Sequence, residues 1–174
     1  VQEYAAPAVA ADLTRLADAG LSLDVLGRSP MLEALERLAR RWPTLRIVID
    51  HLPFAEWQGK VDTMRTALRA LAACANVYAK LSGVVQRDGN RIVDDAAFYR
   101  PQLDALVDLF GPERIVHGTN WPVSERTAPY AVVHRVMHDY FVAQQRRVAE
   151  NYFWRNSARA YRWVRRGAAV RLAG

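Results

Sequence analysis

Four short apolar segments alternate with stretches of helical periodicity, and this alternation constrains the fold more than any other feature of the sequence. The segments are Leu21–Leu26, Leu45–Leu52, Val77–Leu81 and Arg114–Gly118, each rich in Val, Ile or Leu or bounded by turn residues. Apolar residues recur at helical spacing before, between and after them. Strands that alternate with helices predict parallel βαβ units, and 174 residues suffice for a single domain over residues 1–174.

An open doubly wound sheet and a closed barrel both satisfy this alternation, so motifs have to distinguish them. The sequence contains neither GxGxxG nor GxxxxGK, which argues against a nucleotide-binding fold. It also lacks a GxSxG elbow, so nothing in it supports a serine hydrolase.

Polar side chains occur at or near the end of each predicted strand. They are Asp24, then Asp50 and His51, then Lys80 and Ser82, then His117 and Asn120. The carboxyl ends of parallel barrel strands meet at one face, where barrel enzymes place their active sites. The pattern therefore predicts a shared site, in which Lys80 could polarise a carbonyl or pair with a carboxylate. Asp50 is expected on the strand face opposite to His51, since successive side chains alternate.

Four segments, three of which contain predicted strands, together resemble a known family. LRIVIDHLPFAEW (45–57), NVYAKLSGV (76–84), FGPERIVHGTNWPVS (110–124) and NSARAYRW (156–163) are similar, in order and spacing, to the second half of amidohydrolase-related proteins. That group of predicted metal-dependent hydrolases includes sugar-acid lactonases and pyrone dicarboxylate lactonase. The resemblance implies an α/β fold, the C-terminal half of a (β/α)₈ TIM barrel with four parallel strands and flanking helices.

The resemblance assigns roles to two residues. His51 is similar to the family histidine that binds metal or substrate, and Asn120 stands where many relatives have the aspartate that activates water. An asparagine can orient a water but cannot accept its proton. From their places at or after the predicted strands, Asp24, Lys80 and Trp121 are expected to contact substrate, although Trp121 could instead turn the chain.

A metal site needs more than His51. The family's HxH pair does not occur in this sequence, and catalytic zinc usually takes three protein ligands. His117 lies three residues before Asn120, which places the two on opposite faces of a strand. We therefore expect a divalent metal such as zinc in the full barrel, but not one held by this chain alone.

Two functions follow as expectations. In the first, the chain is part of a hydrolase that opens a lactone or a related cyclic ester or amide of a small organic acid. In the second, it is a non-catalytic half-barrel that associates with itself, because a half-barrel leaves strand edges unpaired. The first residue, Val1 rather than Met, suggests a fragment or a processed product, so the partner of either form could be a second copy or a missing N-terminal half.

The net charge of +6 is concentrated near the C-terminus. Residues 145–174 contain eight arginines and one acid, Glu150, and helical spacing predicts a basic terminal helix near 153–168. Clustered arginines can bind nucleic acid, but no recognition motif accompanies them, so we expect no nucleic-acid partner. The sequence has no apolar run of membrane-spanning length and a single cysteine, Cys74, which predicts a cytoplasmic protein without a membrane partner.

Overall fold

The computed structural model describes residues 6–26, 29–51 and 61–163, and its centre is a parallel sheet. In chain order the strands are β1 (Ser22–Leu26), β2 (Arg46–Asp50), β3 (Val77–Leu81), β4 (Arg87–Asp88), β5 (Arg91–Ile92) and β6 (Ile115–His117). β1, β2, β3 and β6 pair in that order, and every pairing is parallel. The four predicted parallel strands are thus confirmed, although Leu52, the last residue of the second predicted segment, lies outside the described residues.

Helices flank the sheet and connect its strands. Within the described ranges they are α1 (Pro7–Asp18), α2 (Ser29–Arg41), α3 (Val61–Ala72), α4 (Ala96–Phe110), α5 (Tyr130–Val142), α6 (Arg146–Glu150) and α7 (Asn156–Tyr161). A 3₁₀ helix at Val123–Arg126 precedes α5, and a π-helical turn at Asn151–Arg155 joins α6 to α7. No helix in this part of the chain is both long enough and apolar enough to cross a membrane.

The basic terminal helix differs from its prediction. It ends at Tyr161, because Arg162 adopts the left-handed conformation with φ 50°, and residues 164–168 of the predicted helix lie outside the described residues. Two of its arginines are neutralised by neighbouring acids. The guanidinium of Arg155 lies 2.9 Å from Glu150, and that of Arg159 lies 3.6 Å from Glu113.

The two faces of the sheet have different surroundings. One face packs against the helices through alternating strand residues and forms the main core; these residues include Val25, Ile47, Ile49, Ala79, Leu81 and Ile115. On the opposite face, Val48 and Val116 pack against Ala160 of α7. Coverage on both faces explains why three consecutive β2 residues, Ile47–Ile49, are fully buried.

The amino ends of the strands are fixed by side chains that bind backbone carbonyls. The partly buried amide of Asn76 donates to the carbonyl oxygens of Ala39, Trp42 and Leu45. Arg114 donates to those of Ala72 and Cys74 from the start of β6. These contacts satisfy orphan carbonyls at helix ends and turns, so this edge serves stability and leaves the carboxyl ends available for a site.

Candidate functional site

An ion-pair cluster lies on the face of the sheet opposite the main core. The Lys80 ammonium on β3 lies 3.2 Å from an Asp24 carboxylate oxygen on β1 and also pairs with Asp50 at the end of β2. The side chain of Lys80 is 18% exposed, and those of the two aspartates are 37% and 26% exposed. Parallel pairing places the three residues on neighbouring strands. Asp24 is in register with Val48, two residues before Asp50, and Val48 is in register with Tyr78, two residues before Lys80.

The electrostatics of this cluster keep Lys80 protonated. Burial by itself lowers the Lys80 pKa, but hydrogen bonds to Asp50 and Tyr161 and the negative charge of Asp24 outweigh burial and raise the pKa above its ordinary value. With two carboxylates around one ammonium, the cluster as a whole carries an excess of negative charge.

Tyr161 completes the cluster from the far end of the chain. Its hydroxyl donates to the same Asp24 oxygen at 2.8 Å, and its ring centroid lies 5.7 Å from the Lys80 nitrogen. Burial is the main cause that raises the pKa of Tyr161, to about 12. Tyr161 was not among the residues that the sequence predicted for the site. No local signal could have found this contact, since its partner lies 137 residues away.

His51 enters the site through an unusual backbone conformation. Its φ of 51° lies in the left-handed region, and its Nδ1 lies 2.5 Å from the Ser82 hydroxyl oxygen, which is buried after β3. The expectation that Asp50 faces away from His51's site was wrong, since Asp50 pairs with Lys80. Strand alternation does not extend to His51, because β2 ends at Asp50 and the chain turns there.

Gly118 packs closely against the side chains of Lys80 and Ser82. A Cβ atom at position 118 would lie 3.0 Å from Cγ and Cδ of Lys80 and 3.0 Å from Cβ of Ser82. Contacts that short require the neighbours to move. The glycine therefore allows the chain after β6 to approach both polar side chains, a role that the sequence analysis missed.

Asn120 lies beside Gly83, the residue that follows Ser82. Its φ is 59°, its backbone oxygen accepts a hydrogen bond from the Ser124 amide at 2.8 Å, and its amide nitrogen lies 3.5 Å from where a Cβ of Gly83 would be. The consecutive residues Ser82 and Gly83 thus neighbour His51 and Asn120 respectively. Both predicted catalytic residues lie at the carboxyl ends of the strands, on either side of the end of β3.

Trp121 and His117 lie apart from this group. Trp121 is 60% exposed, and its amide donates to the Thr119 hydroxyl at 3.3 Å, so its indole lies at the surface. His117 faces the helices, with ring centroids of Tyr152 and Phe153 at 5.1 and 5.4 Å. Burial, assisted by His134, lowers the pKa of His117 to about 4.

The described residues do not supply a metal centre by themselves. They contain no group of three or more His, Cys, Asp or Glu side chains arranged to hold a metal ion. His51 could offer its Nε2, since Nδ1 faces Ser82, but Asp50 is already paired with Lys80. One imidazole falls short of the three protein ligands of a catalytic zinc site.

Curated relatives are similar to about three fifths of this chain. The chain is 40% identical over 107 residues to an L-fucono-1,5-lactonase from Burkholderia ambifaria, with 60% of this chain and 36% of that protein covered. It is 36% identical over 118 residues to an L-fucono-1,5-lactonase from Burkholderia multivorans, with 62% and 39% covered. The chain thus spans less than two fifths of the length of these relatives.

Solved structures agree with the arrangement of the strands. An amidohydrolase from Burkholderia multivorans, crystallised with bound zinc, superposes with a TM-score of 0.82 at 25% identity, covering 94% of this chain and 60% of that one. A putative 2-pyrone-4,6-dicarboxylic acid hydrolase from Pseudomonas putida has a TM-score of 0.66 at 20% identity, covering 85% and 54%, and shows the fold alone. These neighbours are TIM barrels, so the four-stranded sheet corresponds to part of such a barrel. An amidohydrolase family model matches residues 3–163, and the chain therefore belongs to the amidohydrolase family.

Proposed function

We propose that this chain provides part of the active site of a hydrolase that opens a lactone, or a related cyclic ester or amide, of a small organic acid. The observation that carries the proposal is the Lys80 cluster with Asp24 and Asp50, adjacent to the pair formed by His51 and Ser82. Both occur at the face where barrel enzymes place their chemistry. The 40% identical relative is named L-fucono-1,5-lactonase, which supports a lactone as substrate.

In this proposal His51 moves the proton. If Nδ1–H donates to Ser82, the lone pair of Nε2 is free to accept a proton from water, and Asn120 holds that water through its side-chain amide. The water oxygen bonds to the carbonyl carbon, the ring C–O bond breaks, and His51 returns the proton to the leaving alkoxide. The product is the open hydroxy acid.

Lys80 stabilises the carbonyl oxygen in the same scheme. Its ammonium has three N–H groups, of which two face Asp24 and Asp50 and the third bonds to the Tyr161 phenol, which a substrate oxygen would replace. A donor fixed in this way polarises the substrate carbonyl through a hydrogen bond to its oxygen. Asp24 positions Lys80 and contacts the substrate, and the exposed Trp121 contributes to the rim that the substrate crosses.

A divalent metal held jointly by His51 and by residues outside this chain is the alternative role of His51 in the proposal, in which Nε2 would bind the ion and would not accept the proton. The zinc in the Burkholderia multivorans amidohydrolase supports it. Since the described residues do not form a metal centre, no step above uses the ion. A cytoplasmic location stays a prediction.

Hydrolysis of a panel of five- and six-membered sugar lactones, followed by proton release with and without added Zn²⁺, tests the proposal. We expect activity that falls at least a hundredfold in His51→Ala, as for loss of a general base. His138→Ala is the matched control, because His138 is exposed on α5. Equal activity in both variants, or no hydrolysis of any lactone, would contradict the proposal.

A non-catalytic half-barrel that self-associates is the second candidate. It is favoured by β1, which pairs with β2 alone among the described strands and is bordered by Leu21 and Leu26, about half exposed. An apolar, open strand edge promotes pairing between chains. Sedimentation velocity at several concentrations would show a concentration-dependent dimer if this form prevails, and a monomer at every concentration would exclude it.

A further inference from the structure

A cavity opens beside Asn120. It has a volume of about 180 Å³ and lies between the loop after β3, the 3₁₀ helix and α5. We call it the Ser124 cavity; its lining includes Val85, Asn120, Ser124, Arg126, Thr127 and Val133. Because Asn120 lines it, the cavity adjoins the proposed catalytic site.

The cavity contains a buried hydroxyl that has no partner. Ser124 is 6% exposed, and its Oγ atom makes no hydrogen bond within the described residues. A buried hydroxyl without a hydrogen bond destabilises the folded protein, and a bound ligand oxygen would offset this loss. The remaining wall is apolar where Val85 and Val133 line it.

The charge at the cavity is positive. Among the described residues, no carboxylate lies within ion-pairing distance of Arg126, the adjacent Glu125 included. A second guanidinium, that of Arg87, donates to the backbone oxygen of Thr127 at 2.9 Å. None of the described residues that line the cavity is acidic.

These observations divide the site into two regions of opposite charge. Two carboxylates already surround Lys80, so a further carboxylate there would meet repulsion. At the Ser124 cavity, by contrast, an unpaired guanidinium and a free hydroxyl stand next to an apolar wall. We propose that the Ser124 cavity binds a carboxylate carried by the substrate on a short apolar stem, with Arg126 as its cation and Ser124 as its hydroxyl donor. This inference rests on the proposed function for the identity of the substrate as a lactone, but the binding of carboxylates can be tested without it.

Binding of butyrate and of its neutral analogue butyramide to the whole chain, followed by ¹⁵N NMR shifts of the Ser124 and Thr127 amides, tests the cavity directly. We expect butyrate to bind at least tenfold more tightly than butyramide. Arg126→Gln should weaken butyrate binding about tenfold, the lower end for a hydrogen bond to a charged group because Arg126 is exposed. Ser124→Ala should weaken it about threefold.

Arg91→Gln is the matched control, since it removes the same charge from an exposed hairpin position that does not line the cavity. Equal binding of butyrate and butyramide, or equal effects of Arg126→Gln and Arg91→Gln, would overturn the inference.

A pair of γ-butyrolactones with and without a carboxylate substituent separates this inference from the proposed function. Wild-type protein should prefer the carboxylated lactone in kcat/KM by about tenfold, and Arg126→Gln should abolish the preference. If butyrate binds as described and neither lactone is hydrolysed, the proposed function fails and the cavity assignment stands. If both are hydrolysed equally and butyrate does not bind, the assignment fails and the hydrolase stands.

Discussion

Removing the charge of Lys80 should expose how much the cluster contributes to stability. Lys80→Met deletes the ammonium but keeps an unbranched chain next to Gly118, where the Lys80 Cγ and Cδ atoms make close contacts. Two ion pairs are lost, and Asp24 and Asp50 are left near each other without their cation. Breaking a buried pair costs about 3–5 kcal/mol and an exposed one about 0–1 kcal/mol.

The exposures of 18%, 37% and 26% for the three side chains lie between these limits. We therefore expect a loss of about 2 kcal/mol in the free energy of unfolding at pH 7. For a domain of this size that corresponds to a fall in Tm of roughly 4–8 °C. Urea unfolding followed by circular dichroism, together with a thermal scan, measures both quantities.

Arg135→Met provides the comparison. The Arg135–Asp94 pair is also short, at 2.5 Å, but both of its side chains are 54% exposed. That variant should lose less than about 0.5 kcal/mol. Adding Asp50→Asn to Lys80→Met should restore part of the lost stability by removing the repulsion between the two aspartates. Should Lys80→Met prove as stable as Arg135→Met, the cluster would not be the partly buried, mutually dependent group described above.

Two further predictions concern residues next to the site. Gly118→Ala should cost about 1–3 kcal/mol in unfolding free energy, since its Cβ would lie 3.0 Å from Lys80 and Ser82; urea unfolding measures this, and an unchanged midpoint would show that these neighbours move freely. The pKa of His117 is lowered to about 4 in the folded protein against an ordinary value of 6.5, so the unfolded chain takes up a proton first and stability falls as the pH decreases from about 6.5 to about 4. The loss should be about 2 kcal/mol after allowance for partial exposure, and His117→Phe should remove it. The free energy of unfolding at pH 7 and at pH 4.5 tests this. An equal loss between the two pH values in the variant would assign it to other groups.

The fold could be predicted where local patterns repeat. Val77–Leu81 is a strand in prediction and structure alike, and the other three strands fall inside their predicted segments, because short apolar runs bounded by turns have few other stable arrangements. The terminal helix was predicted to continue to 168, since its arginines keep helical spacing, yet it ends at Tyr161, where Arg162 takes a left-handed conformation. Spacing along the chain carries no information on that single backbone angle.

The sequence by itself determined the order of strands and helices, the family resemblance, the placement of Asp24 on the first strand, and that of His51, Lys80 and Asn120 at or after strand ends. Tertiary structure decided which of these side chains meet. It joined Lys80 to Asp50, which alternation had assigned to the opposite face, and brought Tyr161 to Asp24 across 137 residues. Strand periodicity fixes the direction of a side chain only while the strand continues. At the strand ends, where His51 and Asn120 adopt positive φ, packing between distant segments sets the geometry of the site.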